Sequence, residues 1–362
     1  MSPAEAPGTT ARPVEPGSRF LAEIHEQPRA LLRLLEHDPE IARIAATARE
    51  RGARLVRMVG HGSSDNAASY GIYAFGLLPR WTAIRDSITL TVHYDTPLDL
   101  SRSTVLGLSQ SGRTPDVLEY VVRARESGAF TVAITNDPAS ELASAAEATI
   151  PLGAEPELAV AATKTYVNTL GALALLAGHI AGRGSEVSEG IRRASALLDE
   201  ALPGFQQSAG ALALPFSYTG RMFVIGRGTE FATAREIALK LLETCRIAAE
   251  PLTATDLAHG PIAALDPLSP VWAIASADGT LPTVQEAARR IGAMGATLVA
   301  SGTAADAIPG ASYSLPVPTP EPSLLSPLLS VVPGQLFAWA LSRVRGLDPD
   351  APHGLDKITL AC

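Results

Sequence analysis

Landmarks of one kind return along this chain at a near-constant interval. Gly60 and Gly226 each end an apolar run and open a Gly-x-Gly-Ser/Thr turn, and they lie 166 residues apart. Gly112 and Gly279 close matching Ser-x-x-Gly turns, and Ala129 and Ala296 begin matching apolar runs, both pairs 167 apart. Self-similarity at one spacing marks a duplicated fold. Two unrelated units alike by chance would not keep the interval. Within each copy, short apolar runs alternate with longer amphipathic or Ala-rich segments. ARLVRMVG (53–60), TVLGLSQ (104–110) and FTVAITN (130–136) are followed by RMFVIGRGT (221–229), PVWAIAS (270–276) and ATLVASG (296–302). That alternation is the pattern of an α/β fold with parallel sheets.

At about 150 residues per domain, 362 residues suit two domains. The expected organisation is a disordered N-terminus over 1–18, a helix over 19–35, one domain over 36–195, a second over 205–345 and a tail over 346–362. A joining segment near 196–215 carries Pro203, Gly204 and Gly210. A Pro-rich stretch from Pro316 to Pro333 precedes a last helix from Gly334 to Arg345. With 46% hydrophobic and 18% charged residues there is ample material for buried cores. Two cysteines, Cys245 and Cys362, exclude a disulfide scaffold. A net charge of −8 argues against nucleic acid as a partner. The best apolar run, Thr169 to Ile180, is too short to span a bilayer. Met1 to Ser18 lacks the basic start and apolar stretch of a signal peptide. The expectation is a cytoplasmic protein with no membrane partner.

Chemistry gathers at three places. In VLGLSQSGRTPDVLEY, a strand ends at Leu108, a turn runs from Ser109 through Gln110, Ser111 and Gly112 to Thr114, and a helix starts near Pro115. Proline suits that first position, with Thr114 as N-cap. Such a junction aims backbone N–H groups and the positive end of a helix at one point, a cradle for phosphate. An ordinary capped helix is the plainer reading. The turn Gly60-His61-Gly62-Ser63-Ser64 is a second such junction. It lacks the third glycine and the later acidic residue of a dinucleotide fingerprint, so no NAD is expected. Both turns sit at the carboxyl ends of strands, where open α/β sheets bind ligands. Third, Glu236, Lys240 and Glu243 share one helix face at spacings i, i+4 and i+7. They form either a surface ion-pair ladder or, in these apolar surroundings, a proton-transfer site. His259 adds a group that titrates near neutrality.

These motifs together resemble the double sugar-isomerase (SIS) domain family. The isomerase half of glutamine:fructose-6-phosphate amidotransferase is similar, as are the SIS-type amino-sugar-6-phosphate deaminases. Glu23-Ile24-His25-Glu26-Gln27-Pro28 matches E-I-x-E-Q-P, Gly62-Ser63-Ser64 matches G-T-S, and Ser109 to Thr114 match S-Q-S-G-x-[ST]. Glu157 to Lys164 match E-x-x-V-A-S-T-K, Gly226-Arg227-Gly228 match G-R-G, and Ala238 to Glu243 with His259-Gly260-Pro261 match A-L-K-L-x-E and H-G-P. The tail from Gly346 to Lys357 matches G-x-[DN]-x-D-x-P-x-x-L-x-K.

The resemblance implies two tandem SIS domains of flavodoxin-like, parallel-sheet form with a C-terminal active-site tail. It implies that Ser63, Ser64, Ser109, Gln110, Ser111 and Thr114 surround the 6-phosphate. Glu243 would move a proton between C1 and C2. His259 would open the sugar ring, from the neighbouring subunit of a homodimer. Lys357 would reach over the substrate, Lys240 would tune Glu243, and the carbonyl of Val160 would touch the sugar. The sequence departs from the pattern in three ways. The chain begins Met-Ser with no glutaminase domain, so glutamine-dependent amination is not expected. Ala162 replaces a serine that contacts the sugar. Arg113 and Pro115 replace Glu and Ala in S-Q-S-G-E-T-A-D, as in the deaminase-like branch.

The expected substrate is a small amino-sugar phosphate, and the chemistry needs no cofactor. The seven histidines are scattered, so no metal cluster is expected. The same proton abstraction serves two outcomes, isomerisation with deamination or elimination of the 3-hydroxyl of an N-acetylated sugar by a lyase. A non-catalytic sugar-phosphate sensor is the alternative from another class. Glu243, His259 and Lys357 together favour an enzyme.

Overall fold

The computed structural model describes residues 15–357. The first half runs α1 (Ser18–Leu34), α2 (Asp38–Glu50), β1 (Leu55–Val59), α3 (Ser63–Leu77), β2 (Thr82–Arg85), β3 (Thr104–Leu108), α4 (Pro115–Glu126), β4 (Phe130–Thr135), α5 (Glu141–Ala145), β5 (Ala148–Pro151) and α6 (Lys164–Ile180). After α7 (Gly184–Ala213) the second half runs β6 (Arg221–Gly226), α8 (Glu230–Cys245), β7 (Ala248–Thr253), α9 (Ala254–Ala258), β8 (Val271–Ile274), α10 (Leu281–Ala293), β9 (Leu298–Gly302), β10 (Tyr313–Pro316), α11 (Pro327–Ser330) and α12 (Val332–Val344). The expected disordered N-terminus falls mostly on residues 1–14, outside the described ones, as do residues 358–362 of the tail.

Two five-stranded parallel sheets result, ordered β2-β1-β3-β4-β5 and β7-β6-β8-β9-β10. One order becomes the other when each strand is replaced by its counterpart, so the duplication extends to topology. The central strands β3, β4, β8 and β9 are buried along their whole length, as strands covered on both faces must be. The edge strands β2, β5, β7 and β10 are half-exposed and read as polar, which is why apolar patterning alone passes over them. One apolar core spans both halves. It holds Met58 and Leu106 from the first sheet with Val224 and Trp272 from the second, joined by α6, α7 and α12.

The segment near 196–215 is no loop. α7 continues through Pro203. Leu198, Leu202, Phe205, Ala209 and Leu212 bury a stripe at helical spacing, while Pro203, Gly204 and Gly210 lie on the solvent face. Burial of that stripe outweighs the local cost of one proline and two glycines. The Pro-rich stretch also ends in helix. Pro327 and Pro333 occupy the first turns of α11 and α12, where a missing N–H costs nothing. Ser323–Val344, rather than the run at Thr169, is the one stretch of described residues long and apolar enough to cross a membrane. Its most apolar window is 94% buried inside the protein, as a core element.

The tail is anchored to the start of α1. Asp350 accepts the N–H groups of Phe20 and Arg19 at 2.7 and 3.2 Å, and Asp348 accepts that of Gly17 at 3.2 Å. These carboxylates cap a helix whose own N-cap, Gly17, has no side chain to do so.

Candidate active site

In the first sheet the chain leaves β1 toward β2 on one side and resumes at β3 on the other. The gap between the carboxyl ends of β1 and β3 is a topological switch point, where ligands of open α/β sheets bind. Both phosphate-type turns meet there. Gly62 has φ 55° and ψ −127°, a backbone that glycine tolerates, and opens α3 directly at Ser63. Gly112 has φ 65°, and a Cβ there would lie 2.0 Å from Ser140 Oγ, so any side chain would break the turn. Its counterpart Gly279 has neither constraint, so the two Ser-x-x-Gly turns share spacing without sharing conformation.

Thr114 precedes α4 but makes no side-chain cap. Its hydroxyl instead meets Ser109 Oγ at 2.9 Å, and Ser109 Oγ accepts the Gly112 N–H at 3.1 Å. Ser111 Oγ accepts the Arg113 N–H at 3.3 Å. The helix starts at Ser63 and Pro115 therefore have no side-chain cap and converge on one opening, a ready anion site.

The second half supplies a buried cluster of carboxylates and a lysine. α8 packs on α3 and places Glu236 across the junction. Glu236 is fully buried, accepting Ser63 Oγ at 2.9 Å and Asn66 Nδ2 at 2.8 Å. Lys240 Nζ lies 3.3 Å from Glu236 Oε1 and 2.6 Å from Glu243 Oε2. The second contact is the shorter of the two, and Oε2 of Glu243 has no other donor. Burial disfavours a charged Lys240, but the two carboxylates outweigh it and hold its ammonium above the usual lysine range. The ladder spacing thus describes a buried ion-pair cluster rather than a surface one. Replacing Lys240 with Met would leave Glu236 buried without its cation. The expected loss is about 3–5 kcal/mol of unfolding free energy, measured by urea denaturation.

The loop before α6 forms another wall. Glu157 is buried and accepts the N–H groups of Thr163 and Thr165 at 2.9 and 3.1 Å, the Thr165 hydroxyl at 2.8 Å and Lys357 Nζ at 2.9 Å. Burial opposes its charge, yet Lys357 and the backbone donors keep its carboxyl below the usual range.

These walls enclose a cavity of about 500 Å³. Ser63, Ser64, Ser109, Gln110, Ser111 and Thr114 line it from the first sheet, Val160 and Ala162 from the loop, Lys240 and Glu243 from α8, and Lys357 from the tail. Ten of the eleven residues to which the resemblance gives a role therefore share one cavity. His259 does not; it stands exposed after α9. Arg113 faces outward toward Asp137 and Glu141. Sequence reading assigned no role to three polar cavity residues: Glu157, His61, whose Nε2 lies 2.7 Å from Asp116 Oδ2, and Asp116 itself. His61 stands inside the Gly60–Ser64 turn, which was its signal. Asp116 is the last residue of the S-Q-S-G-x-T-x-D run and Glu157 the first of E-x-x-V-A-S-T-K, which were theirs.

The second switch point, between β6 and β8, is closed. Glu230 stands where Ser64 stands in the first half, 166 residues earlier. Its Oε1 accepts Ser276 and Ser330 hydroxyls at 2.7 and 2.9 Å, and its Oε2 accepts that of Thr233 at 2.6 Å. Ser276, the counterpart of Ser109, is thus bonded to a buried carboxylate rather than left for an anion.

A duplicated parallel sheet with uncapped helix starts and hydroxyls at one switch point, facing a buried Lys–Glu pair, defines a two-domain α/β protein with a candidate anion site. The chain belongs to the SIS-domain family, whose model matches residues 51–178 and 216–343. Its relatives include the glutamine--fructose-6-phosphate aminotransferases [isomerizing] of Thermococcus kodakarensis, 32% identical over 93% of this chain, and Gloeobacter violaceus, 35% identical over 93%. The chain spans little more than half the length of these relatives, 57% and 58%. A Silicibacter pomeroyi protein described as a candidate phosphosugar isomerase is 34% identical, with a TM-score of 0.78 over 92% of this chain and 99% of that one. The C-terminal domain of the Francisella tularensis glucosamine-fructose-6-phosphate aminotransferase shares the fold at 23% identity, with a TM-score of 0.85 over 95% of this chain and 100% of that one.

Proposed function

We propose that this chain is an amino-sugar-phosphate isomerase that deaminates glucosamine 6-phosphate to fructose 6-phosphate and ammonia. The carrying observation is that the hydroxyl cradle and Glu243 line one cavity, a phosphate site and a carboxylate base within reach of one small substrate. In the open-chain aldehyde the C2 proton is acidic. Glu243 takes it, giving an enaminol, and returns a proton to C1. The C2–nitrogen bond becomes an imine, water adds at C2, and ammonia leaves. Lys240, held charged, keeps the carboxylate oriented. The Val160 carbonyl and Lys357 flank the sugar. The exposed position of His259 fits ring opening by a second copy of the chain, as a homodimer would supply it.

One assay series on the purified protein tests this. With glucosamine 6-phosphate, ammonia and fructose 6-phosphate should appear in equal amounts. Interconversion of hexose phosphates without ammonia would assign a simple isomerase. An enone chromophore from the N-acetylated sugar would assign a lyase. Tight binding with no turnover would assign a sensor.

A further inference from the structure

α1 carries a carboxylate that neither the cradle nor the Lys240 ion-pair cluster uses. Glu23 is only 4% exposed. It accepts the N–H of Leu158 and, at 3.3 Å to each oxygen, that of Ala159. Those residues lie between Glu157 and Val160, both on the cavity wall. The Ala159 carbonyl accepts Lys357 Nζ at 2.6 Å, and the Val160 N–H donates to the Asp350 carbonyl at 3.1 Å. Asp350 in turn caps α1 one turn before Glu23. Helix, cavity wall and tail therefore close a ring of hydrogen bonds with Glu23 at its centre.

We propose that Glu23 is a positioning residue: by holding the Leu158 and Ala159 N–H groups, its carboxylate fixes the wall that presents Val160 and seats Lys357. This rests on the cavity being the site of the reaction proposed above. Two oxygens facing two backbone donors make a charge-assisted clamp, stronger than a neutral acceptor provides.

The clamp works against stability. Burial pushes Glu23 up to about 7, the backbone donors pull it down, Glu157 pushes it further up and Lys357 lowers it. Glu157 from the wall and Lys357 from the tail are the charged groups it faces. Its folded value lies above its unfolded value of 4.5. The folded chain therefore holds an extra proton between these two values. That contribution to stability is complete below pH 4.5 and is lost as pH rises through about 7. At pH 8 the ionised carboxylate is therefore a cost to folding.

The tests separate stability from positioning. At pH 8, Glu23→Gln should melt no lower than the parent and bind inorganic phosphate equally well, since the cradle is elsewhere. It should lose about tenfold in kcat/KM for glucosamine 6-phosphate, the scale of one charge-assisted hydrogen bond. Amide hydrogen exchange over 157–160 should quicken. In the wild-type chain, after correction for intrinsic exchange, protection of the Leu158 and Ala159 amides should fall as pH drops through about 7. A lower melting temperature at pH 8 with phosphate binding lost would make Glu23 structural and overturn the proposal. So would unchanged exchange and kinetics in the variant, or a flat wild-type exchange profile. The wild-type profile needs no variant to fold. If no assayed sugar turns over, the reaction reading fails, and the exchange and phosphate measurements still decide the clamp.

Discussion

Glu243→Gln should fold as the parent does and lose roughly 10²–10⁴-fold in kcat, the usual contribution of one general acid–base group. The isostere keeps the volume at a side chain that is 20% exposed, and Lys240 keeps Glu236 as its buried partner. Circular dichroism and melting temperature should therefore change little while turnover collapses. With the base removed, exchange of the substrate C2 proton with solvent should stop as well. A variant that retains near-parental kcat would remove Glu243 from the proton shuttle.

Ser111→Ala combined with Thr114→Ala should raise KM for the 6-phosphate by roughly 10²–10⁴-fold. Two hydrogen bonds to a charged group are lost, each worth roughly 1.5–3 kcal/mol. The fold should survive, because neither hydroxyl supports the core. Ser111 Oγ accepts one turn N–H, and Thr114 Oγ1 meets only Ser109 Oγ. Reactivity toward the sugar lacking phosphate should not fall, since only the cradle is altered. If the double variant binds the 6-phosphate as tightly as the parent, the phosphate lies outside this turn.

The tail shows how such tests should be framed. Sequence reading treats 346–362 as one polar segment folded over the substrate. In the structure its first part caps α1 through Asp348 and Asp350, and among its described residues only Lys357 reaches the cavity. Deleting the segment whole would also uncap α1, so Lys357→Ala is the cleaner probe of the tail's part in the cavity.

The duplication, the parallel sheets and the two anion-type turns were legible because each is written in local chemistry. Gly-x-Gly and Ser-x-x-Gly turns, buried β-runs and helix starts repeat at a near-constant interval. The edge strands were illegible because a half-exposed strand has no continuous apolar signature. The helix through Pro203 was illegible because distant packing, not local propensity, decides it. Among the site residues, spacing placed Glu236, Lys240 and Glu243 on one face but could not say what that face meets. The tertiary structure decided it by docking α8 on α3. Glu236 became a bolt between the halves, Lys240 a charge held by two carboxylates, and Glu243 a wall of the cavity. The same docking leaves His259 outside the cavity. Equal repeats in the chain likewise did not make equal sites, because Glu230 occupies the second switch point where Ser64 stands open in the first. A one-dimensional pattern determines which side chains travel together along an element; which of them face a cavity depends on the partner surface, and that exists only after folding.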